Sequence, residues 1–144
     1  MLRDQIRENR LKFAKGLQEP HREKQIEKLE NYNLPNQRCC LGHGCDIFNI
    51  KKRKENNSVY FGKDDNYAIA PLELVDLLGL TNSTGGSYIG SSLKNIESHS
   101  DIKSLTSLND NTDITTNEIG KSMEDWIEGG EGTPFKPLSD YPEN

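Results

Sequence analysis

Apolar residues at helical spacing predict helices in the first 31 residues. Four of them recur at near-heptad intervals with charged residues between them: Leu2, Ile6, Phe13 and Leu17. This pattern is typical of an amphipathic helix, which we expect over residues 2–18. A second, shorter helix is predicted over residues 22–31, with Ile26 and Leu29 facing inward.

Helical signals return in the second half of the chain. Residues 71–78 are predicted to be helical because a proline opens the segment and a glycine follows it. A short helix is expected over residues 102–109. The last helix is expected to begin after Thr115, which forms a capping-box pattern with Glu118.

The middle of the chain has the pattern of a β-hairpin. Residues 58–62 (SVYFG) are typical of a strand, and after a polar turn residues 67–70 are expected to form the return strand. The preceding run KKRKENN at 51–57 is interpreted as an exposed, charged connector. Residues 81–92 are rich in glycine and serine and are predicted to be a loop.

These elements predict an α+β fold: a small, mostly helical single domain with a β-hairpin in the middle of the chain. We expect the compact domain to cover residues 1–130. Residues 131–144 contain three prolines and few apolar side chains, which predicts an extended or disordered tail.

Composition narrows the function. The net charge is −5, which argues against a dedicated binder of duplex nucleic acid, although a local cluster of Lys and Arg can still hold a small anion. Only 32% of the residues are apolar, which favours partial disorder or a core completed in a homo-oligomer. Neither a membrane span nor a signal peptide is recognisable, and three clustered cysteines favour a reducing cytoplasm.

The segment RCCLGHGCDIF at residues 38–48 concentrates three thiols and an imidazole: Cys39, Cys40, Cys45 and His43. A zinc site needs four converging ligands, whereas adjacent side chains on a helix diverge. A second half-site would have to come from His21 or His99. Redox chemistry would need a low-pKa thiolate. Burial of small side chains is the third interpretation and the one we favour, with no metal ligands.

The same segment resembles a group of small bacteriophage and bacterial proteins with a Cys-Cys-Leu-Gly-x-x-Cys-[Asp/Glu] signature. Further pieces match in the same order: Lys24-Gln25 with Leu29 and Asn31, Tyr60-Phe61-Gly62, residues 71–80, Leu105-x-x-Leu108-Asn109-Asp110, and residues 114–127. The resemblance spans roughly residues 10–128. The basic run at 51–57, the loop at 81–92 and the tail depart from it.

The group is similar to phage anti-defence sponge proteins, which sequester cyclic nucleotide signals of CBASS immunity without cleaving them. That resemblance implies a cyclic dinucleotide as ligand, a homo-oligomer, no catalytic residue and no cofactor. Such a ligand needs cations for its phosphates and aromatic faces for its bases. The candidate ligand-binding residues are Arg38, His43, Lys24, Gln25, Tyr60, Phe61, Asn109 and Asp110. Because Tyr60 and Phe61 alternate in a strand, one of them is expected in the core.

Two other functions remain open. The chain can instead be a protein–protein inhibitor of a host defence effector, acting through its acidic surface without a nucleotide. It can also be a phosphodiesterase, but no H-x-T or HD pair supports that role.

Overall fold

The computed structural model describes residues 1–96 and 101–144. In this part of the chain five α-helices and two short two-stranded sheets form an α+β domain, which confirms the predicted class. The helices are α1 (Arg3–Gly16), α2 (Cys40–Ile47), α3 (Leu72–Leu78), α4 (Leu105–Asp110) and α5 (Thr116–Glu124). The strands are β1 (Glu23–Lys24), β2 (Gln37–Arg38), β3 (Lys52–Glu55) and β4 (Ser58–Phe61). Within the described ranges no helix has the length and apolar content needed to cross a membrane.

Helix α1 is the element around which the others pack. It lies against α2, α3 and α5, and of the predicted apolar stripe Ile6, Phe13 and Leu17 are buried whereas Leu2 is 48% exposed. Its contact with α5 is close because Gly120 has no side chain: a Cβ there would lie 2.7 Å from the carbonyl oxygen of Ala14. A long amphipathic helix thus provides one wall of the core.

Arg10, on the same helix, is fully buried and binds backbone carbonyls. Its guanidinium donates to the carbonyl oxygens of Leu78 (2.7 Å), Ile127 (2.8 Å) and Lys136 (2.8 Å), and it lies 4.6 Å from the centre of the Phe135 ring. Burial lowers the pKa of Arg10 to about 10. One side chain therefore joins the ends of α3 and α5 to the C-terminal segment.

The cysteine-rich segment forms α2 and is buried along most of its length. Cys39 caps the helix, because its sulfur accepts a hydrogen bond from the Gly42 amide at 3.4 Å. Gly42 itself meets the backbone of a neighbouring loop: a Cβ would lie 1.8 Å from the carbonyl oxygen of Leu29. Small residues in α2 thus allow the close packing that the sequence predicted.

The helix predicted over residues 22–31 is wrong. Glu23–Lys24 instead pairs in parallel with Gln37–Arg38, and the Gln25 amide donates to the carbonyl oxygen of Arg38 at 3.0 Å. Glu27 takes a positive φ of 67°, which no α-helix accommodates. A ten-residue helix is marginal on its own, so these tertiary hydrogen bonds determine the structure here.

The β-hairpin exists, but its strands are shifted towards the N-terminus. Strand β4 pairs with Lys52–Glu55, so the run interpreted as a connector is a strand and the predicted return strand at 67–70 is wrong. Asn56 and Asn57 join the strands with φ values of 50° and 61°. Left-handed residues at both positions are the mark of a type I′ turn, which matches the twist of the strands.

The three later helices confirm the sequence analysis. Gly79 ends α3 in the left-handed conformation, with φ 64°. Thr115 and Glu118 form the expected capping box at the start of α5. Residues 81–92 contain neither helix nor strand, as predicted.

The predicted domain boundary at residue 130 is wrong, because the C-terminal segment packs on the domain. Phe135 is fully buried and forms a β-bridge with Leu80, and Leu138 is 4% exposed. The Arg3 amide donates to the carbonyl oxygen of Pro142 at 2.9 Å, so the segment also reaches the start of α1. Buried apolar side chains and backbone hydrogen bonds together hold this segment on the domain.

Substituting Gly42 by Ala is expected to lower the free energy of unfolding by about 3 kcal/mol, since the new Cβ would collide with fixed backbone. Gly44→Ala, in the same helix, is the matched control. Its Cβ would lie 3.0 Å from Phe13 and 3.1 Å from Leu74, whose side chains can move, so we expect a loss of about 1 kcal/mol or less. Urea unfolding of both variants measures the difference, and equal losses would contradict the packing at Gly42.

Phe135→Ala is expected to lower the free energy of unfolding by about 3–5 kcal/mol, as for a phenylalanine deleted from a core. Leu34→Ala, at a 53% exposed position, is the control and should change stability by about 0.5 kcal/mol at most. Similar thermal midpoints for both variants would mean that the C-terminal segment does not pack on the domain.

Candidate functional site

Six of the eight predicted ligand-binding residues gather where β1, β2, α2 and α4 meet. They are Lys24, Gln25, Arg38, His43, Asn109 and Asp110. These six polar residues therefore lie near one another in the fold, whereas Tyr60 and Phe61 lie on the hairpin. Their hydrogen bonds decide whether a ligand can use them.

Asn109 is fully buried and joins three elements. Its Oδ1 accepts from the Cys40 amide at 3.1 Å, and its Nδ2 donates to the Gln25 carbonyl oxygen and to an Asp110 carboxylate oxygen, both at 2.8 Å. Because the amide oxygen and nitrogen both have protein partners, Asn109 fixes the start of α2 against α4 and β1.

Lys24 and Gln25 are partly buried and also have partners inside the protein. The Lys24 ammonium donates to the carbonyl oxygens of Thr112 and Ile114, at 2.8 and 2.9 Å. The Gln25 side chain accepts from Asn31 at 3.1 Å. The Lys24 charge thus satisfies carbonyls that follow α4.

His43 has no solvent exposure. Its Nε2 lies 2.7 Å from the Glu23 carbonyl oxygen and therefore carries the proton, while Nδ1 accepts from Arg22 at 3.3 Å. Burial lowers the pKa of His43 to about 4, and the nearby charges of Arg22 and Arg38 act in the same direction. The imidazole is neutral at physiological pH and has a structural role.

Arg38 belongs to a buried ion-pair cluster. Its Nε donates to Glu30 at 2.7 Å, and the Glu30 carboxylate, which has no exposure, also binds the Lys52 ammonium at 3.0 Å. Asp46 lies 3.5 Å from the other end of Arg38. Because an unpaired buried charge is costly, removing either partner of such a pair is strongly destabilising.

The predicted position of the binding site is therefore corrected. Arg38, His43 and Asn109 are 5%, 0% and 0% exposed, and Phe61 is a core residue at 1%. A ligand cannot reach these side chains unless the fold opens. Of the predicted aromatic pair, Tyr60 alone is partly exposed.

The three cysteines are buried, and burial raises their pKa values, that of Cys39 to about 12. Thiols held in the protonated form are poor nucleophiles and poor metal ligands. Within residues 1–96 and 101–144 no three His, Cys, Asp or Glu side chains form a group that could hold a metal ion. His99, considered above for a second half-site, lies outside the described residues.

An open pocket lies beside the hairpin, on the face that carries Tyr60. Its volume is about 320 Å³. Its lining residues come from β3, β4, the following turn and α3: Lys51, Lys52, Arg53, Tyr60, Gly62, Lys63, Asp65 and Glu73. We call it the hairpin pocket.

The strand register explains how the hairpin supplies this pocket. Arg53 pairs with Tyr60, and Lys52 pairs with Phe61. Paired residues share a face of the hairpin, so a buried Phe61 places Tyr60 and Arg53 on the solvent side. A shift of one residue in this pairing would exchange the two faces.

Aromatic and cationic groups meet in the pocket. The Tyr60 ring packs edge-on against the Tyr67 ring at 5.9 Å, and the Arg53 guanidinium lies 4.8 Å from the Tyr60 ring centre. Arg53 also pairs with Glu55, and with Asp65 at 3.5 Å. The Tyr60 ring thus has an aromatic and a cationic neighbour and remains partly exposed.

The pocket has an excess of positive charge. Four basic residues line it against two carboxylates. The Lys52 and Arg53 charges have carboxylate partners, whereas Lys51 and Lys63 are exposed and pair with no carboxylate among the described residues. On a chain of net charge −5 this is a local reversal of sign.

Glu73 gives the pocket one fixed acceptor. Its Oε2 accepts the Lys63 amide hydrogen at 3.0 Å. The carboxylate lies over Gly62, where a Cβ would come within 2.7 Å of Oε1. With φ 78° and this close contact, position 62 requires glycine.

A larger groove of about 530 Å³ lies beside α1 and α2. Two of its cations are paired, Arg22 with Asp46 at 2.8 Å and Lys15 with Glu124, and the third, Lys12, lies 5.0 Å from the centre of the Phe48 ring. It is lined by no aromatic residue, so it fits a base-containing ligand less well than the hairpin pocket does.

No family model, curated protein or solved structure matches the chain. The resemblance to the Cys-Cys-Leu-Gly-x-x-Cys group stays a prediction. The candidate site therefore rests on geometry and charge alone.

The basic run at 51–54 is a sequence candidate for phosphate binding, but its pairing with the strand that carries Tyr60 was missed, as were Lys63 and Glu73. One signal was present, since Asn56-Asn57 between KRKE and SVYF is a two-residue turn with left-handed preference. A two-residue turn at these positions predicts that Arg53 and Tyr60 lie opposite each other on the two strands. The approach of Glu73 from α3 is a tertiary contact with no local signal.

The low pKa of His43 predicts a specific dependence of stability on pH. The unfolded state takes up a proton on this histidine near pH 6.5 and the folded state only near pH 4, so the contribution of His43 to stability is constant above about pH 7 and is lost as the pH falls between these values. The expected loss is about 3 kcal/mol. Urea unfolding at pH 7, 5.5 and 4 measures it.

His43→Gln is the control variant, since the glutamine amide can donate to the Glu23 carbonyl but does not titrate. We expect a flatter profile between pH 6.5 and 4 than in the natural protein. Profiles of equal slope would mean that other groups cause the loss.

Proposed function

We propose that this protein binds a phosphorylated ligand of the cyclic-nucleotide class at the hairpin pocket, and that it sequesters the ligand in the cytoplasm without cleaving it. One observation carries this proposal: four basic residues line the same pocket as the partly exposed Tyr60, on an otherwise acidic chain. The similarity to sponge proteins stated above points to the same ligand class.

The chemistry of the lining fits both parts of a nucleotide. Lysine and arginine form charge-assisted hydrogen bonds with phosphate oxygens. Stacking of a base on an aromatic ring contributes about 1–3 kcal/mol to binding, whichever base it is. Arg53 can serve both parts, because it lies over Tyr60 and its present partners, Glu55 and Asp65, are carboxylates that a phosphate can replace.

Pocket size favours a ligand shared between subunits. A volume of about 320 Å³ is at the lower end of the range for small-molecule sites, about 300–1,000 Å³. A cyclic dinucleotide has two bases and a two-fold axis, so two copies of the hairpin pocket facing each other match its symmetry. We therefore propose a homo-oligomer in which each copy holds one nucleotide half.

The lining favours sequestration over hydrolysis. It includes no histidine and no cysteine among the described residues. Both of its carboxylates already accept hydrogen bonds or ion pairs, Asp65 from Arg53 and Glu73 from the Lys63 amide. Neither is placed as a free general base beside a nucleophile.

Arg53→Ala and Tyr60→Ala are each expected to weaken binding of a cyclic dinucleotide at least about tenfold, through loss of a charge-assisted contact and of a stacking surface. Lys54→Ala is the matched control. It removes the same charge one position away, from the side chain that pairs with Val59 and lies over the Tyr32 ring, outside the pocket. We expect a change of about twofold or less. Titration calorimetry at low salt, with thermal midpoints as a check on folding, gives the comparison.

Chromatography of the bound ligand after heat release tests sequestration. Recovery of the intact cyclic dinucleotide supports the proposal, and recovery of a linear product indicates a phosphodiesterase. If no cyclic dinucleotide raises the thermal midpoint, the proposal fails and a protein–protein inhibitor becomes the better hypothesis.

A further inference from the structure

The hairpin pocket contains a carboxylate at a place where a phosphate-binding pocket gains nothing from one. Glu73 lines the same pocket as Lys51, Arg53 and Lys63. A carboxylate repels a phosphate, and the bond from the Lys63 amide uses only part of its capacity to accept hydrogen bonds. The inference that follows rests on the function proposed above and concerns which base the pocket accepts.

One backbone hydrogen bond orients Glu73. The Lys63 amide donates to its Oε2 at 3.0 Å, and Oε1 occupies space beside Gly62 that a side chain at position 62 would fill. Among residues 1–96 and 101–144 it forms no ion pair with a lysine or arginine side chain. An ionised carboxylate has about four lone-pair positions, so several acceptor positions remain for a ligand.

The second carboxylate of the pocket differs in this respect. Asp65 Oδ1 lies 3.5 Å from the Arg53 guanidinium. Its charge balances the cation that lies over Tyr60. Glu73 is therefore the carboxylate of this pocket whose charge is not already paired with a cation among the described residues.

Base chemistry distinguishes the possible ligands. Guanine presents two adjacent donors on its Watson–Crick edge, N1–H and N2–H, which match the two oxygens of one carboxylate. Adenine presents the N6 amino donor next to the unprotonated N1, whose lone pair would face a carboxylate oxygen. Sites built around such pairs reject the analogue that leaves them unpaired.

We infer that Glu73 makes the hairpin pocket selective for guanine over adenine, by accepting hydrogen bonds from N1–H and N2–H of the base stacked on Tyr60. The ligand class is thereby narrowed to guanine-containing cyclic nucleotides. In this arrangement the basic residues bind the phosphates whatever the base is, and Glu73 determines which base is preferred.

The test is a titration of the natural protein with cyclic di-GMP, cyclic di-AMP and cyclic di-IMP. We expect cyclic di-GMP to bind at least about tenfold more tightly than cyclic di-AMP, the discrimination typical of a two-hydrogen-bond base contact. Cyclic di-IMP keeps N1–H but lacks the N2 amino group, so its affinity should lie between the two. This comparison needs no variant and is independent of any effect on folding.

Glu73→Gln provides the second arm. Its amide offers one donor and one acceptor, the pattern that fits adenine, so the ratio of the two affinities should fall to about threefold or less, or reverse. Glu131→Gln, at an exposed glutamate outside the pocket, removes the same charge and should keep the natural ratio. Circular dichroism confirms that both variants are folded.

The outcomes separate the two proposals. If the natural protein binds cyclic di-GMP and cyclic di-AMP equally, or if Glu73→Gln keeps the full preference, the assignment to Glu73 is overturned while the proposed function stands. If none of the three nucleotides binds, the proposed function and this inference both fail.

Discussion

The fold depends on a buried arginine that has no carboxylate partner among the described residues. Arg10 reaches from the middle of α1 to carbonyl oxygens at the ends of α3 and α5 and in the C-terminal segment. The last carbonyls of a helix have no partner within it, and a buried guanidinium needs acceptors for five N–H groups. The N–H groups of Arg10 find their acceptors in these carbonyl oxygens, and the carbonyl oxygens find a donor in Arg10. Three segments that are remote in sequence are therefore held at one point on α1.

Much of the architecture could be predicted, because local signals determine it. Helix α1 follows from its apolar spacing, and α5 from its capping box. The errors at residues 22–31 and 131–144 have one cause. Both segments are held by hydrogen bonds and apolar contacts to distant parts of the chain, and neither Lys24 nor Phe135 indicates its partner in the sequence.

The candidate site was harder to predict, since polar residues that cluster in space are not always accessible. Three of the predicted residues lie close together, but they bind protein groups: Arg38 pairs with a carboxylate, and His43 and Asn109 form hydrogen bonds with the backbone. Sequence alone cannot separate a buried polar network from a binding surface, because both use the same residue types. Strand register is the missing information: it decides that Tyr60, and not Phe61, faces solvent.

The position of the C-terminal segment has a consequence for how the chain reaches its native state during synthesis. Because Lys136 and Phe135 complete the surroundings of Arg10, the core near α1 stays open until they have left the ribosome. Until then the apolar face of α1 is exposed to other nascent chains and to chaperones. Helix α1 is thus synthesised well before the segment that completes its surroundings, and a chain truncated before residue 135 would leave Arg10 without its Lys136 and Phe135 contacts.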